Sequence, residues 1–265
     1  MKLDNDGFAF EGDTLCLKGI RLSVIKQACG ENLRKLYRKR WLQPMLDLAH
    51  AIPQPYFHLP GHDRIEVLWR TLLADHSLQL TNPQPGGEHP APRYLRDGFV
   101  ANAQNVLAHH LAEIGPDSAA AAQVLNAHRV FDTLTGRPMI SSVKMFAPLI
   151  QRVERGQSIP QSAGSLLNIV NRAANHFAAV AGQFWFHRSL FITEDGHFGL
   201  GPESAAEKDE VWILFGAQVP FVLRPAPERG PNAYTLVGEA YVHGFMEGEA
   251  LHGRSSSERE PVRLV

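Results

Sequence analysis

Between Gly164 and Gly182 the polar residues Asn168, Asn171, Arg172, Asn175 and His176 recur at steps of three and four. On a helix that spacing gathers them into one stripe. Around it lie Leu166, Leu167, Ile169, Val170, Ala173, Ala174, Phe177, Ala178, Val180 and Ala181, so the helix reads as central. Amide, guanidinium and imidazole groups among aliphatic side chains are what a mostly apolar pocket uses to orient a ligand, and the same stripe facing water is the other reading. Further on, Glu239, Tyr241 and His243 alternate with Ala240 and Val242, which on a strand puts the three polar residues on one face. Buried there, they need hydrogen-bonding partners, so a structural network stands beside catalysis as a reading.

The other histidines point to no metal. His58 and His62 are four apart, but Leu59-Pro60-Gly61 between them breaks any helix, and no Glu follows His58 as in zinc proteases. His109 and His110 are adjacent and point in different directions. A P-loop is absent. Gly199-Leu200-Gly201-Pro202 half-matches a dinucleotide fingerprint, yet strands rather than a helix follow it, so it reads as a turn. No Gly-x-Ser-x-Gly elbow is present. The basic cluster Arg34, Lys35, Arg38, Lys39 and Arg40 reads as the solvated face of an amphipathic helix. No cofactor is therefore predicted.

The elements that must carry these residues follow from periodicity and punctuation. Ile65, Leu68, Trp69, Leu72 and Leu73 mark one helical face over residues 62 to 75, with Glu66 and Arg70 as a supporting pair on its flank. Residues 31–50, 95–113, 117–130, 141–155 and 164–182 are further helices, and Leu15 to Leu22 form one or two strands. Beyond residue 183 short β-rich runs take over: Phe184–Phe186, Leu190–Ile192, Val211–Phe215, Val219–Leu223 and Tyr234–Val242. The fold class expected is α+β, with a mainly helical part over 1–183 packed on a small antiparallel β-barrel or sheet over 184–252. Residues 253–265, with three consecutive serines, are expected to be a flexible tail. Residues 81–93 and 225–232, rich in Pro and Gly, read as loops.

Composition narrows the partners. Lys plus Arg is 26 and Asp plus Glu is 27, a balance without the basic excess expected of nucleic-acid or anionic-membrane binding. No window of about 18 apolar residues is present, and the first residues lack the apolar stretch of a signal peptide. Two cysteines make no disulfide framework. The expectation is a cytoplasmic protein.

After Arg188 the residues become distinctive. Arg188-Ser189-Leu190-Phe191-Ile192-Thr193, then Gly196, Gly199-Leu200-Gly201-Pro202, resembles the R-x-L-F-x-T-x-x-G-x-x-G-L-G-P segment of fungal heterokaryon-incompatibility (HET) proteins. Asp209-Glu210-Val211 stands where that family has Gly-Asp-x-Val, with Lys208 in place of the glycine. Val219 to Pro225, Leu236 to Gly244 and Met246 to Ala250 resemble its following blocks. Upstream, Leu17 to Ile25 and Leu68-Trp69-Arg70-Thr71-Leu72 resemble a strand-turn segment and a W-R-T-L helix of the family. The blocks that mark the HET domain itself, Y-x-A-L-S-Y-x-W-G and I-D-x-x-C-I-N-Q, do not occur. The resemblance thus implies the C-terminal half of such a protein standing alone without the HET domain, which is held to trigger cell death.

Two functions are compatible with this reading. One is a scaffold repurposed as a cofactor-free cyclase or isomerase of fungal secondary metabolism, a Diels–Alder-type pericyclase among them, acting on a hydrophobic small molecule by orientation and a few donors. Its catalytic candidates are Arg172, His176 and His243. Trp69, Phe177 and Trp185 would wall the pocket, and Asn168, Asn175, Glu239 and Tyr241 would bind substrate. The other is a non-catalytic regulatory or sensing module related to incompatibility, acting through a partner protein.

Overall fold

One long strand organises the β part. In the computed structural model, which describes residues 8–57, 59–76, 90–251 and 259–265, β1 (Phe8–Glu11) and β2 (Thr14–Ala28) form an N-terminal hairpin. Near its start β2 pairs with β9 (Glu260–Leu264); along Gly19–Val24 it pairs with β5 (Glu210–Leu214); and at Ile25–Ala28 it pairs with β3 (Arg188–Thr193). Two register shifts, between Arg21 and Ser23 and between Ile25 and Gln27, bend β2 from one sheet into the next. From β5 the pairing continues to β6 (Phe221–Pro225), then β7 (Ala233–Glu239), and returns through a parallel pair with β9 to β2. These five strands close a ring, which leaves it without a free edge. Leu17, Trp212, Leu214, Leu223 and Val262, with Tyr234 packed against them, form the cluster to which all five strands contribute.

This closure corrects two expectations. The unit drawn at 184–252 lacks β2 and β9, two of the five barrel strands. The expected tail also ends in ordered structure, because Val262 is fully buried in β9.

A second, smaller sheet is made by β3, β4 (Phe198–Pro202) and β8 (Tyr241–Val242). Its two faces serve different cores. Leu190, Ile192, Phe198, Leu200 and Tyr241 pack with the helices, whereas Phe191 and Val242 join Leu22, Ile25, Val211 and Val222 on the barrel side. The period-two alternation of the strands thus makes this sheet the middle of three layers. Gly199-Leu200-Gly201-Pro202 is strand rather than turn. A Cβ at Gly199 would lie 2.3 Å from the Phe191 ring and 2.7 Å from the Tyr241 carbonyl oxygen, so the glycine lets that ring lie across β4. Phe184 to Phe186 form no strand but a turn leading into β3.

The helical layer comprises α1 (Leu33–Arg38), α2 (Gln43–His50), α3 (Arg64–Leu72), α4 (Tyr94–Ile114), α5 (Ala119–Ala127), α6 (Val130–Thr135), α7 (Met139–Glu154) and α8 (Gln161–Ala181). The helix expected over 31–50 is broken at Arg40, whose φ of 53° ends α1. At α3 the Asp63 side chain accepts from the Glu66 amide, and every residue from Ile65 to Leu72 is buried. α4 packs between α7 and α8. The helix expected to be central, α8, lies at the surface: Leu166 is 42% and Ile169 67% exposed, and only Leu167, Ala174, Phe177, Val180 and Ala181 are buried. Among the described residues no helix is long and apolar enough to cross a membrane.

Candidate functional site

The seam between the helices and the middle sheet holds two adjoining clefts. The larger, of about 640 Å³, is walled by Phe184, Phe186, Leu200, Val219 and Met246, with His76, Arg188, Glu239 and Tyr241 supplying polar groups. The smaller, of about 260 Å³, is lined by His62, Arg70, Asp75, Tyr241, His243, Met246 and Glu249 among others. Tyr241 and Met246 line both.

α3 supplies the charged floor of the smaller cleft. Arg70 donates from Nε to Glu66 at 2.8 Å, and from Nη1 to Asp75 at 2.5 Å and to the Ala91 carbonyl at 3.0 Å. Trp69 Nε1 donates to the other oxygen of Glu66 at 2.9 Å, and the Arg70 guanidinium lies 4.4 Å from the Trp69 ring centroid. The pair read from sequence as flank support is therefore the centre of a buried triad, in which one guanidinium bridges two carboxylates. Burial works against the charge on Arg70, but the hydrogen bonds and field of Asp75, then Glu66, outweigh it and raise its pKa. Asp75 reaches Arg70 from the turn that ends α3, where Ala74 and Asp75 both take positive φ.

Above this floor runs a chain of neutral groups. Tyr241 Oη lies 2.8 Å from His243 Nδ1, and His243 Nε2 lies 3.0 Å from His62 Nδ1. The His62 and His243 rings stack with centroids 5.2 Å apart. The His243 backbone is pinned on both sides: its N–H donates to the Phe198 carbonyl, and its carbonyl accepts from Tyr56 Oη at 2.9 Å. Tyr56 Oη in turn accepts from the Phe198 amide. Burial, then the neighbouring His62 and Arg70, push His243 down to about 3. His62, half-buried, is lowered by burial and then by Arg70. Burial holds the Tyr241 hydroxyl well above the usual tyrosine range and pushes Tyr56 up to about 12. At neutral pH the chain is uncharged, and each imidazole offers one donor and one acceptor. Among the described residues no cluster of three or more His, Cys, Asp or Glu side chains is arranged to hold a metal ion.

Part of the chain is matched in known proteins. Residues 169–264 match a family model described as the Het-6 β-barrel domain. Heterokaryon incompatibility protein 6, OR allele, of Neurospora crassa is 41% identical over 75 residues, which are 28% of this chain and 11% of that protein. The C-terminal part of this chain is similar to the heterokaryon-incompatibility family. The matched stretch supplies β3 to β9 but not β2, so the ring is completed by residues outside it. The chain therefore matches about a tenth of the length of that curated relative. No solved structure matches.

The candidates read from sequence separate into three groups. Tyr241 and Glu239 line the larger cleft, and Tyr241 and His243 the smaller. Glu239 is exposed at the rim, and it ends β7, with Ala240 interrupting the strand before Tyr241 opens β8. Trp69, Phe177 and Trp185 are core rather than walls. Trp69 is fully buried, Phe177 packs on Phe99 and Trp185, and Trp185 Nε1 donates to the Leu72 carbonyl. Asn168, Arg172 and Asn175 are exposed and His176 half-buried on α8; Asn168, Arg172 and His176 line a shallow surface depression away from the seam. They are not brought together with His243. His58 lies outside the described residues. Sequence reasoning missed Tyr56, Glu66, Arg70, Asp75 and Arg188 as site residues. The Trp69-Arg70 pair, placed by spacing on the same helix as an apolar face, was the available signal for a buried charge.

Proposed function

We propose that the protein takes a small, mainly apolar organic molecule into the seam cleft and converts it without a cofactor, as a cyclase or isomerase of fungal secondary metabolism. The observation that carries this is a cleft of about 640 Å³, walled by aromatic and aliphatic side chains, into which the buried Tyr241 and the Arg188 cation are presented. That volume lies within the range of small-molecule sites, and few polar groups in apolar walls are their usual make-up. Holding a reactive conformer between Phe184, Phe186, Leu200 and Met246 can lower a barrier by up to about 7–11 kcal/mol through orientation alone. Hydrogen-bond donation to a carbonyl by Tyr241 or Arg188 adds to this. A Diels–Alder-type closure needs nothing further, since it exchanges two π bonds for two σ bonds within one molecule.

The test is deletion of the gene followed by metabolite profiling, in parallel with incubation of the pure protein with any accumulated precursor. Conversion without additives, abolished by filling the cleft with Val219→Trp, is the expected result. An unchanged profile overturns the reading.

A second reading is favoured by the relationship to an incompatibility protein and by the exposed Leu166 and Ile169 on α8. In it the chain is a regulatory or sensing module that acts through a partner protein. A ligand that binds at the seam but leaves unchanged, together with a stoichiometric protein partner lost on Ile169→Asp, selects this reading.

A further inference from the structure

Orientation and a hydrogen bond do not require the chain of groups behind Tyr241. From Tyr241 Oη to His243 Nδ1 is 2.8 Å, and from His243 Nε2 to His62 Nδ1 is 3.0 Å, so three side chains from two layers form one unbroken path. Its inner end, Tyr241, is buried and lines both clefts; its outer end, His62, is half-buried. Its middle is held by the backbone bonds of His243 to Phe198 and Tyr56. A structural network has no need to run from a cleft to the surface.

We propose that Tyr241, His243 and His62 are a proton relay between solvent and a ligand in the seam, and that the reaction it serves is a proton-shift isomerisation of a carbonyl-bearing molecule. This rests on the reading that the cleft binds a small molecule, and it selects isomerisation over pericyclic closure. In the donating step the Tyr241 hydroxyl proton passes to the ligand, the His243 Nδ1 proton to Tyr241 Oη, and the His62 Nδ1 proton to His243 Nε2. Water supplies one proton to His62 Nε2. Each imidazole stays neutral and changes tautomer. In the returning step the same moves run backwards: a C–H proton of the ligand goes to Tyr241 Oη and one proton leaves His62 for water. One proton enters at one position of the ligand and one leaves from another, so atoms and charge balance without an oxidant or co-reactant. The depressed imidazole pKa values suit neutral carriers. The charged and titratable groups that act on the path are Arg70, Glu66 and Asp75 from α3 and its end, Arg93 ahead of α4, Tyr56, and Glu249.

The relay is testable without a ligand. In the ¹⁵N-labelled full chain, the exchange of the Tyr241 hydroxyl proton with water is measured by NMR and normalised to the exchange of the Phe198 amide, which reports local opening. His62→Gln keeps a hydrogen-bonding side chain at the end of the path but cannot pass a proton through it. The expected result is hydroxyl exchange slower by about tenfold or more. Exchange at the wild-type rate, or faster, overturns the relay whatever binds in the cleft. Once a converted precursor is in hand, turnover in D₂O is expected to place one deuterium in the product, and Tyr241→Phe to lower turnover by about 10²-fold. A cyclised product free of deuterium overturns the isomerisation while leaving the cleft as a binding site.

Discussion

The polar stripe of α8 and the polar cluster at the seam use similar side chains in opposite settings. On α8, Asn168, Arg172 and Asn175 are exposed, three and four residues apart on one helix. At the seam, Arg70, His243 and Tyr241 are buried, come from α3 and the region around β8, and are matched atom to atom. The stripe is regular because a helix repeats; the cluster is irregular because three layers meet there. Helical spacing identifies neighbours on one element, whereas burial and partners decide which polar residues have an environment that alters their chemistry.

The sharpest way to break this contrast is to remove one charge from each region. Arg70→Met leaves Glu66 and Asp75 as buried carboxylates facing one another. It is expected to cost about 3–5 kcal/mol in urea denaturation, because the two buried carboxylates lose the cation that bridges them. A loss below 1 kcal/mol would mean that the triad is effectively solvated.

Acid is the next probe. His243 has a folded pKa of about 3 against an ordinary 6.5, so the unfolded chain binds the proton that the folded chain refuses. The stability tied to its neutral form is therefore complete above pH 6.5 and is lost as pH falls toward 3, by about 1.4 kcal/mol per pH unit. His62 and His128, both lowered chiefly by burial, act in the same direction. Denaturation midpoints measured from pH 7 to 4 should fall steadily, and His243→Asn should flatten the slope.

Gly199→Ala tests the middle layer, where the added methyl meets the Phe191 ring and the Tyr241 carbonyl. A loss of about 1–3 kcal/mol is expected in thermal or urea unfolding, with the change felt at Tyr241 through its backbone. The smallest effect belongs to the α8 stripe. Arg172→Ala should stay within about 0.5 kcal/mol of the parent and leave seam binding unchanged in titration calorimetry.

The α+β class and most helices were legible because their apolar periodicity is local. The residues from Arg188 onward were legible because Leu190, Phe191 and Leu200 sit at fixed alternating positions between two cores. What stayed hidden depends on distant pairing. Glu260 to Leu264 looks like the end of a polar tail, and only its registers with β2 and β7 make it a strand. Gly199 and Gly201 read as turn residues because the ring that covers them belongs to the neighbouring strand. His62 was weighed against His58, its neighbour in sequence, while its hydrogen-bonding partner lies 181 residues away.

Ring closure through β2 and β9 also has a consequence for the order in which the protein can be assembled. β2 ends at Ala28 and β9 begins at Glu260, so during synthesis the strand that completes the barrel follows the helices and the middle sheet as the last described element. Until then β2 and β7 each present an open edge, the surface on which strands of other molecules add. A chain truncated before residue 260 would therefore keep every described residue of the seam but carry a sticky, unfinished barrel, and that is the form in which a chaperone has most to shield.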